Sequence, residues 1–255
     1  MGSRSGLTGA LFEKAAITGL GVAAVSALAF AIAGPLYQLG SLGLRESLTL
    51  FRYAGYGGLI GAVICLAAAA GARRKALTKP LIVAVAGLLL SLPVGGLMGY
   101  WSYRAVTLPV IHDISTDTKN PPEFVAILPL RANSPNSAIY GGPDLAAKQH
   151  KAYPRVVPAL LDVSTAKAFD LALMEARRMK WEIVGTDPAQ GRIEATDTTR
   201  WFGFKDDVVI RVAPAGSGSR VDIRSVSRVG KSDVGTNACR IEWYLYRLAK
   251  SARGG

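Results

Sequence analysis

The sequence predicts an α+β protein in which three transmembrane helices precede a polar domain of order α-β-β-β-β-α, with an antiparallel meander as its sheet. Three observations predict it. Residues 1–103 hold three charge-free apolar segments, whereas 22 of the 30 Lys/Arg and 16 of the 18 Asp/Glu fall in residues 104–255. Within that polar half, four short stretches alternate apolar and polar residues with the period of two that marks half-buried strands. Two flanking stretches repeat apolar residues at helical spacing. A length of 255 residues suits one or two domains. The expected division is a transmembrane region (1–103), a long Pro-rich segment packed on the domain (104–163), and a sheet with two covering helices (164–255).

The apolar segments are AAITGLGVAAVSALAFAIAGPL (15–36), AGYGGLIGAVICLAAAAGA (54–72) and PLIVAVAGLLLSLPVGGLMGY (80–100). Each approaches the ~20 residues that a helix needs to cross ~30 Å of hydrocarbon. A cleaved signal peptide is the rival reading of the first, because AFAIAG has small residues at suitable offsets. Between the second and third, RRKALTK packs Arg73, Arg74, Lys75 and Lys79 into a short turn, which the positive-inside rule assigns to the cytoplasm. The N-terminus, with Arg4 and Lys14, then shares that side. The loop YQLGSLGLRESLTLFRY and everything after Tyr100 lie outside, although Arg45 and Arg52 oppose this beside Glu46. Tyr37, Tyr53, Tyr56, Tyr100, Trp101 and Tyr103 gather at the outer ends, where amphipathic rings favour the interface.

The second and third segments carry Gly57-x-x-x-Gly61 and Gly95-x-x-x-Gly99, spacings that let helix backbones approach closely. They serve either packing within the helix hairpin or docking of a partner or a second copy. Pro93 should kink the third helix. No ionisable residue lies inside a segment, so a transport path has no candidate groups.

From 104 to about 162 no period persists, and Pro109, Pro121, Pro122, Pro129, Pro135, Pro143, Pro154 and Pro158 punctuate the chain. Apolar anchors such as FVAILPL (124–130) argue that it drapes over a core rather than floats. Ser164 then opens a helix, STAKAFDLALMEARRM, with Phe169, Ala172, Leu173, Ala176 and Met179 on one face. The strands are WEIVG, RIEATDTTRW, DVVIRV and RVDIRSVSRV, separated by the turn-rich DPAQ, FGFK and PAGSGS. The last helix, ACRIEWYLYRLAKSA, repeats Ile241, Tyr244, Leu245, Leu248 and Ala252.

Alternation sorts the sheet into two faces. Ile193, Ala195, Trp201, Val208, Ile210, Val212, Val221, Ile223 and Val229 form the expected core. The opposite face carries Arg192, Glu194, Thr196, Arg200, Asp207, Arg211, Asp222, Arg224 and Arg228, with Arg200 near Asp207 and Arg211 near Asp222 or Arg224. That face is either solvated, with weak cross-strand ion pairs, or covered by the Pro-rich segment or a ligand. In the second case its Arg forks suit carboxylate or phosphate groups.

The stretch GKS (230–232) resembles a phosphate loop, but Ser225 stands where the loop needs Gly and the strand belongs to an antiparallel meander. Asp206 and Asp207 point to opposite faces, so they are no catalytic pair; Glu194 with Asp207 is the better same-face pair. His112, beside Asp113, has a metal-ligand or general-base role as one reading and a loop hydrogen bond as the plainer one. Cys65 and Cys239 sit in different settings, which disfavours a disulfide, and no Cys/His spacing binds metal. No cofactor motif is present. The net charge of +12 is divided between helix flanks and acid-interspersed stretches, so nucleic acid is not the expected partner.

The motifs IHDISTD and NPPEF, then GRIEAT, GFKDDVVIRV, VDIRSVSRVG and SDVGTN-x-x-RI, resemble in order the domain-of-unknown-function family 1499 (DUF1499) over roughly residues 105–250. The resemblance implies an envelope module with no assigned reaction. Its motif positions here are His112, Asp113, Glu194, Asp207, Arg211, Asp222, Arg224, Ser225, Ser227, Arg228, Gly230, Asp233, Gly235, Asn237 and Arg240, and Asp233 or Asn237 is placed to cap the last helix. The expected protein is a multi-pass protein of a bacterial inner membrane with its C-terminal domain in the periplasm. It is expected to be a non-enzymatic module that binds a partner protein, lipid headgroup or anionic ligand. The alternatives are an accessory subunit docked through the glycine-rich helices, and an envelope hydrolase or lyase using Glu194, Asp207 or His112.

Overall fold

The computed structural model describes residues 2–253, and side chains from residue 8 onward, so Arg4 lies outside the described side chains. Two compact units emerge. One comprises Met1–Tyr103 with Trp201–Gly203, the other Arg104–Arg200 with Phe204–Gly255.

The first unit is built on α1 (Gly2–Gln38), α2 (Leu44–Arg74) and α3 (Thr78–Thr107). All three are long and apolar enough to cross a membrane, which marks the chain as a membrane protein. Their outward faces carry Val25, Val63 and Leu89, each more than two-thirds exposed, which suits lipid rather than water. The expected outer loop is short: α1 runs on through Pro35 to Gln38, and Arg45, Glu46 and Arg52 lie within α2. Glu46 in the first turn of α2 favours that earlier start by opposing the helix dipole. Only Lys75, Ala76 and Leu77 separate α2 from α3, with Ala76 at φ 55°. The third helix continues through Pro93.

Small side chains set the spacing inside this unit. Cys65 is fully buried, and a Cβ added at Gly19 of α1 or Gly87 of α3 would stand 2.6 or 2.3 Å from its sulfur. The same test brings Gly57 within 2.3 Å of Ser26 Oγ, Gly61 within 2.9 Å of Ser91 Oγ, and Gly95 within 2.7 Å of Leu59 Cδ2. Gly99 has nothing within 4 Å. Three of the four motif glycines therefore face neighbours in their own helix unit, and Gly99 faces open space.

Trp201 is the clearest departure from the sequence pattern. It does not join the sheet core; its ring packs 4.6 Å from Phe30 and 5.6 Å from Phe51, and its indole N–H donates to the Ala31 carbonyl at 3.1 Å. A Cβ at Gly34 would meet the Trp201 carbonyl at 2.2 Å. Alternation failed here because Trp201 lies beyond the end of its strand, where period two no longer orients side chains.

The second unit contains β1 (Asp113–Ser115), α4 (Gly142–Ala152), β2 (Ala159–Leu161), α5 (Thr165–Arg178), β3 (Glu182–Asp187), β4 (Arg192–Thr198), β5 (Lys205–Ala215), β6 (Gly218–Ser227) and α6 (Thr236–Arg253). The sheet order is β1-β6-β5-β4-β3, with β2 also paired to β6 and every pairing antiparallel. Ile193, Ile210 and Ile223 stand in register across β4, β5 and β6, as do Ala195, Val208 and Ser225. With Val212 and Val221, the apolar members of these rows pack against Phe169, Ala172 and Ala176 of α5 and Ile241, Tyr244 and Leu248 of α6. Each large apolar side chain so buried contributes about 1.5–3 kcal/mol. Trp181 stacks on Tyr244 at 5.1 Å, and the Tyr244 hydroxyl donates to the Ala172 carbonyl. Ser164 caps α5 by accepting the Lys167 N–H. Val229, expected in this core, lies past the end of β6 and is half-buried.

Residues 104–163 are more ordered than their prolines predict. They supply β1 and β2 to the same edge of β6, a 3-10 turn at Leu128–Arg131, and α4. The last escaped the periodicity test because its fully buried side chain is polar. Gln149 accepts the Ser115 N–H at 2.9 Å and donates to the Ser115 carbonyl at 2.7 Å, imitating a neighbouring strand.

Gly87→Leu should destabilise the full chain by roughly 1–3 kcal/mol, the cost of overpacking a closed contact. Gly99→Leu should be nearly neutral. Thermal unfolding in detergent, followed by circular dichroism, compares the two.

Candidate functional site

The polar face of the sheet is covered by the chain's own residues 113–140. Glu194, Asp207 and Asp222 on it are at most 1% exposed, and Arg224 is 2% exposed. Val209 and Val226, which share this face, form a small apolar cluster with Phe124 and Ile127 from the covering segment. Every charge there must therefore find an internal partner, since an unpaired buried ion costs several kcal/mol.

Arg224 is the centre of the contact. Its guanidinium grips Asp113 through two hydrogen bonds of 2.9 and 2.8 Å, donates to the carbonyls of Pro122 and Ala138, and lies 5.3 Å and 5.4 Å from the rings of Phe124 and Tyr140. Burial pushes the Asp113 carboxyl upward against the pull of Arg224. Burial, with the nearby Asp113 charge, also takes the Tyr140 hydroxyl to about 12.

Asp207 is held from three sides. Arg228 donates twice at 2.8 Å, Arg131 of the covering segment once at 2.6 Å, and Thr196 Oγ1 at 2.7 Å. Burial alone would raise its carboxyl, but these hydrogen bonds, Arg228's first among them, keep it below the usual aspartate range. The register sets Asp207 opposite Thr196, and Arg228 with Arg131 takes the place expected for Arg200. Arg131 and Arg228 also donate to the carbonyls of Asn136 and Leu130, fastening the segment's backbone.

Glu194 receives the consecutive N–H groups of Val125, Ala126 and Ile127, all at 3.0 Å, and the Arg192 Nε–H at 3.1 Å. Its carboxylate thus caps the turn that leads into Leu128–Arg131. Asp222, one of the two neighbours expected for Arg211, pairs with it across the strands at 3.0 Å and also with Arg220. Both arginines reach on to Asp117, whose carboxylate also accepts the N–H groups of Lys119 and Asn120. Partial burial raises the Asp117 carboxyl, but those N–H groups and the two arginines outweigh it and hold it low.

Six guanidiniums (Arg131, Arg192, Arg211, Arg220, Arg224, Arg228) thereby meet six carboxylates (Asp113, Asp117, Asp187, Glu194, Asp207, Asp222). The face is electrically balanced. Glu194 and Asp207 have their oxygens turned to internal donors, so neither offers a lone pair to an outside molecule.

A second network lies on the helix side. Asp206 points opposite to Asp207, as the strand geometry requires, and takes Arg240 of α6 at 2.6 Å. Arg240 also reaches Asp197 at 2.8 Å, Ser225 Oγ and the Asn237 side-chain oxygen. The Asn237 amide donates to Ser227 Oγ and to the His112 carbonyl. Asp233 caps α6, accepting the N–H groups of Gly235 and Asn237 at 2.9 Å, while burial pushes its carboxyl up. Gly230 adopts φ 90° in the GKS stretch, which serves as the passage into α6. The His112 ring meets the Lys231 carbonyl at 3.3 Å, the loop contact expected of it, rather than joining Glu194 and Asp207.

Among the described residues no group of His, Cys, Asp and Glu is arranged to hold a metal ion. Sequence reasoning missed Arg131, Asp117, Asp187 and Arg220. The available signal for Arg131 was a lone cation closing the apolar run FVAILPLR, and for Asp117 an Asp with Lys and Asn just after it in a turn. Residues 113–248, over half of the chain, match the family described as Protein of unknown function (DUF1499). The matched span begins at Asp113, the Arg224 partner, and includes the side chains of both networks. No curated protein matches the chain.

Arg224→Ala should cost about 3–5 kcal/mol, because it strands Asp113 as a buried charge. Asp207→Asn should lose a comparable amount at neutral pH. The stability that Asp207 contributes is present above about pH 4, the ordinary aspartate value, and is lost as pH falls through its lower folded value. The acid limb of the stability profile should therefore be shallower in Asp207→Asn than in wild type, as read by denaturant unfolding across pH.

Proposed function

The chain belongs to the DUF1499 family, and we propose that it is a membrane-anchored, non-enzymatic binding module of a bacterial inner membrane, with residues 104–255 facing the periplasm. The observation that carries this reading is the closed charge balance of the covered sheet face. Its arginines and carboxylates hold residues 113–140 against the sheet, so its chemistry is that of a clamp and leaves ligand contact to the outer surface of the domain. Orientation is supported by Arg73, Arg74, Lys75 and Lys79 around the turn between α2 and α3. Tyr53, Tyr56, Tyr100 and Tyr103, at the opposite helix ends, stand partly or largely exposed as interfacial rings do.

Single cysteines placed at exposed positions over residues 104–255 of the full chain, in a Cys239→Ser background, test both parts. An impermeant maleimide applied to intact spheroplasts should label most of them. One contiguous patch should be protected in the membrane and become reactive after purification. Absence of labelling in spheroplasts, with labelling after lysis, would reverse the orientation. Uniform reactivity in both states would remove the binding-module reading.

A further inference from the structure

A groove of about 690 Å³ runs between the outer faces of α5 and α6. Its floor includes Met174 and the buried Glu175, and its rim carries Lys167 and Arg178 from α5 with Arg247 and Lys250 from α6. Trp243 and Tyr246 project from it, 53% and 59% exposed, with rings stacked at 5.5 Å. The Arg247 guanidinium lies 6.0 Å from the Trp243 ring.

We propose that this groove is a docking surface for the anionic phospholipid headgroups of a bilayer. The inference rests on the binding-module reading and names its ligand. Charge complementarity comes first. Glu175 is 1% exposed, and Arg247 and Arg178, the latter at 3.7 Å, offset its negative charge within the groove. Lys167 and Lys250 remain on long exposed arms. Exposed Trp and Tyr beside Lys and Arg is the side-chain set that suits a membrane interface, with rings at headgroup depth and cations on the phosphates. Helix backbones keep their N–H and C=O groups internal, so this surface offers a peptide no main-chain ladder. Finally, the domain is covalently joined to three helices long enough to cross a bilayer. A tethered surface meets lipid at high effective concentration, so a modest attraction per cation suffices.

The full chain in nanodiscs of phosphatidylcholine tests this by co-flotation with target vesicles. Vesicles containing phosphatidylglycerol should carry the nanodiscs upward, and vesicles of phosphatidylcholine alone should not. Lys167→Gln with Lys250→Gln should weaken capture roughly tenfold or more, and Trp243→Ala should weaken it further. The exposed α4 pair Lys148→Gln with Lys151→Gln, which removes the same charge elsewhere, should leave capture within about twofold of wild type. No capture by anionic vesicles, equal capture by neutral ones, or equal loss in the α4 control would overturn the proposal. Binding of soluble poly-glutamate without vesicle capture would assign the groove to a protein partner and overturn it as well. Spheroplast labelling separates the two readings: a protected patch away from α5 and α6 keeps the module and rejects this ligand.

Discussion

The bond between Arg224 and Asp113 is the constraint on which the C-terminal fold depends. It joins residues 111 apart in sequence, one on a central strand and one at the entrance to the covering segment. Around it the segment has no continuous apolar stripe with which to bury itself. Phe124 and Ile127 provide one small cluster, and most of the remaining attachment is by guanidinium to carboxylate and carbonyl and by the Glu194 carboxylate to backbone N–H groups. Such contacts are directional. They determine one position for the segment in a way that a smooth apolar surface would not. Most of the partners follow residue 190 in the chain, so the segment is held by contacts of long sequence separation.

The two faces of the sheet therefore use different physics. Toward α5 and α6, period-two alternation and helical spacing build a packed apolar layer. Toward the covering segment, a polar surface is buried without a matching apolar one, and charge is balanced within it. The networks meet at the backbone of β6, where Arg224 faces one layer and Ser225 the other. Neighbouring residues on one strand thus connect the covering segment and the entry of α6.

Much of this was legible in the sequence, for identifiable reasons. Four strands, their order, the core isoleucines and valines, and the pairing of Arg211 with Asp222 follow from alternation, which is a local property. Ser164 and Asp233 could be read as caps because capping needs a side-chain oxygen within a few residues of a helix start. Long-range partners could not be read that way. Nothing local to Arg131 shows that it meets Asp207, and nothing local to residues 125–127 shows that their N–H groups meet Glu194. The helix at Gly142–Ala152 was hidden because its one fully buried side chain is an amide. Trp201 was misplaced because a strand pattern was extended past the last residue that pairs. Glu194, Asp207, Arg211, Asp222 and Arg224 do share one face, whereas Asn237 and Arg240 lie on the helix side, and only the tertiary cover reveals what the first group contacts.

That buried amide has a consequence for how the molecule behaves among its own copies. A sheet margin with free N–H and C=O groups is a template on which another chain can add a strand. At β1, Gln149 occupies the hydrogen-bonding positions of Ser115 that a foreign strand would take. β3 is the opposite margin, and its register with β4 shifts between Ile183 and Gly185, a local irregularity that spoils a flat template. One margin is closed by a side chain and the other roughened by a bulge. A domain tethered beside copies of itself thereby keeps its β-structure to itself, because neither margin offers a flat row of free N–H and C=O groups.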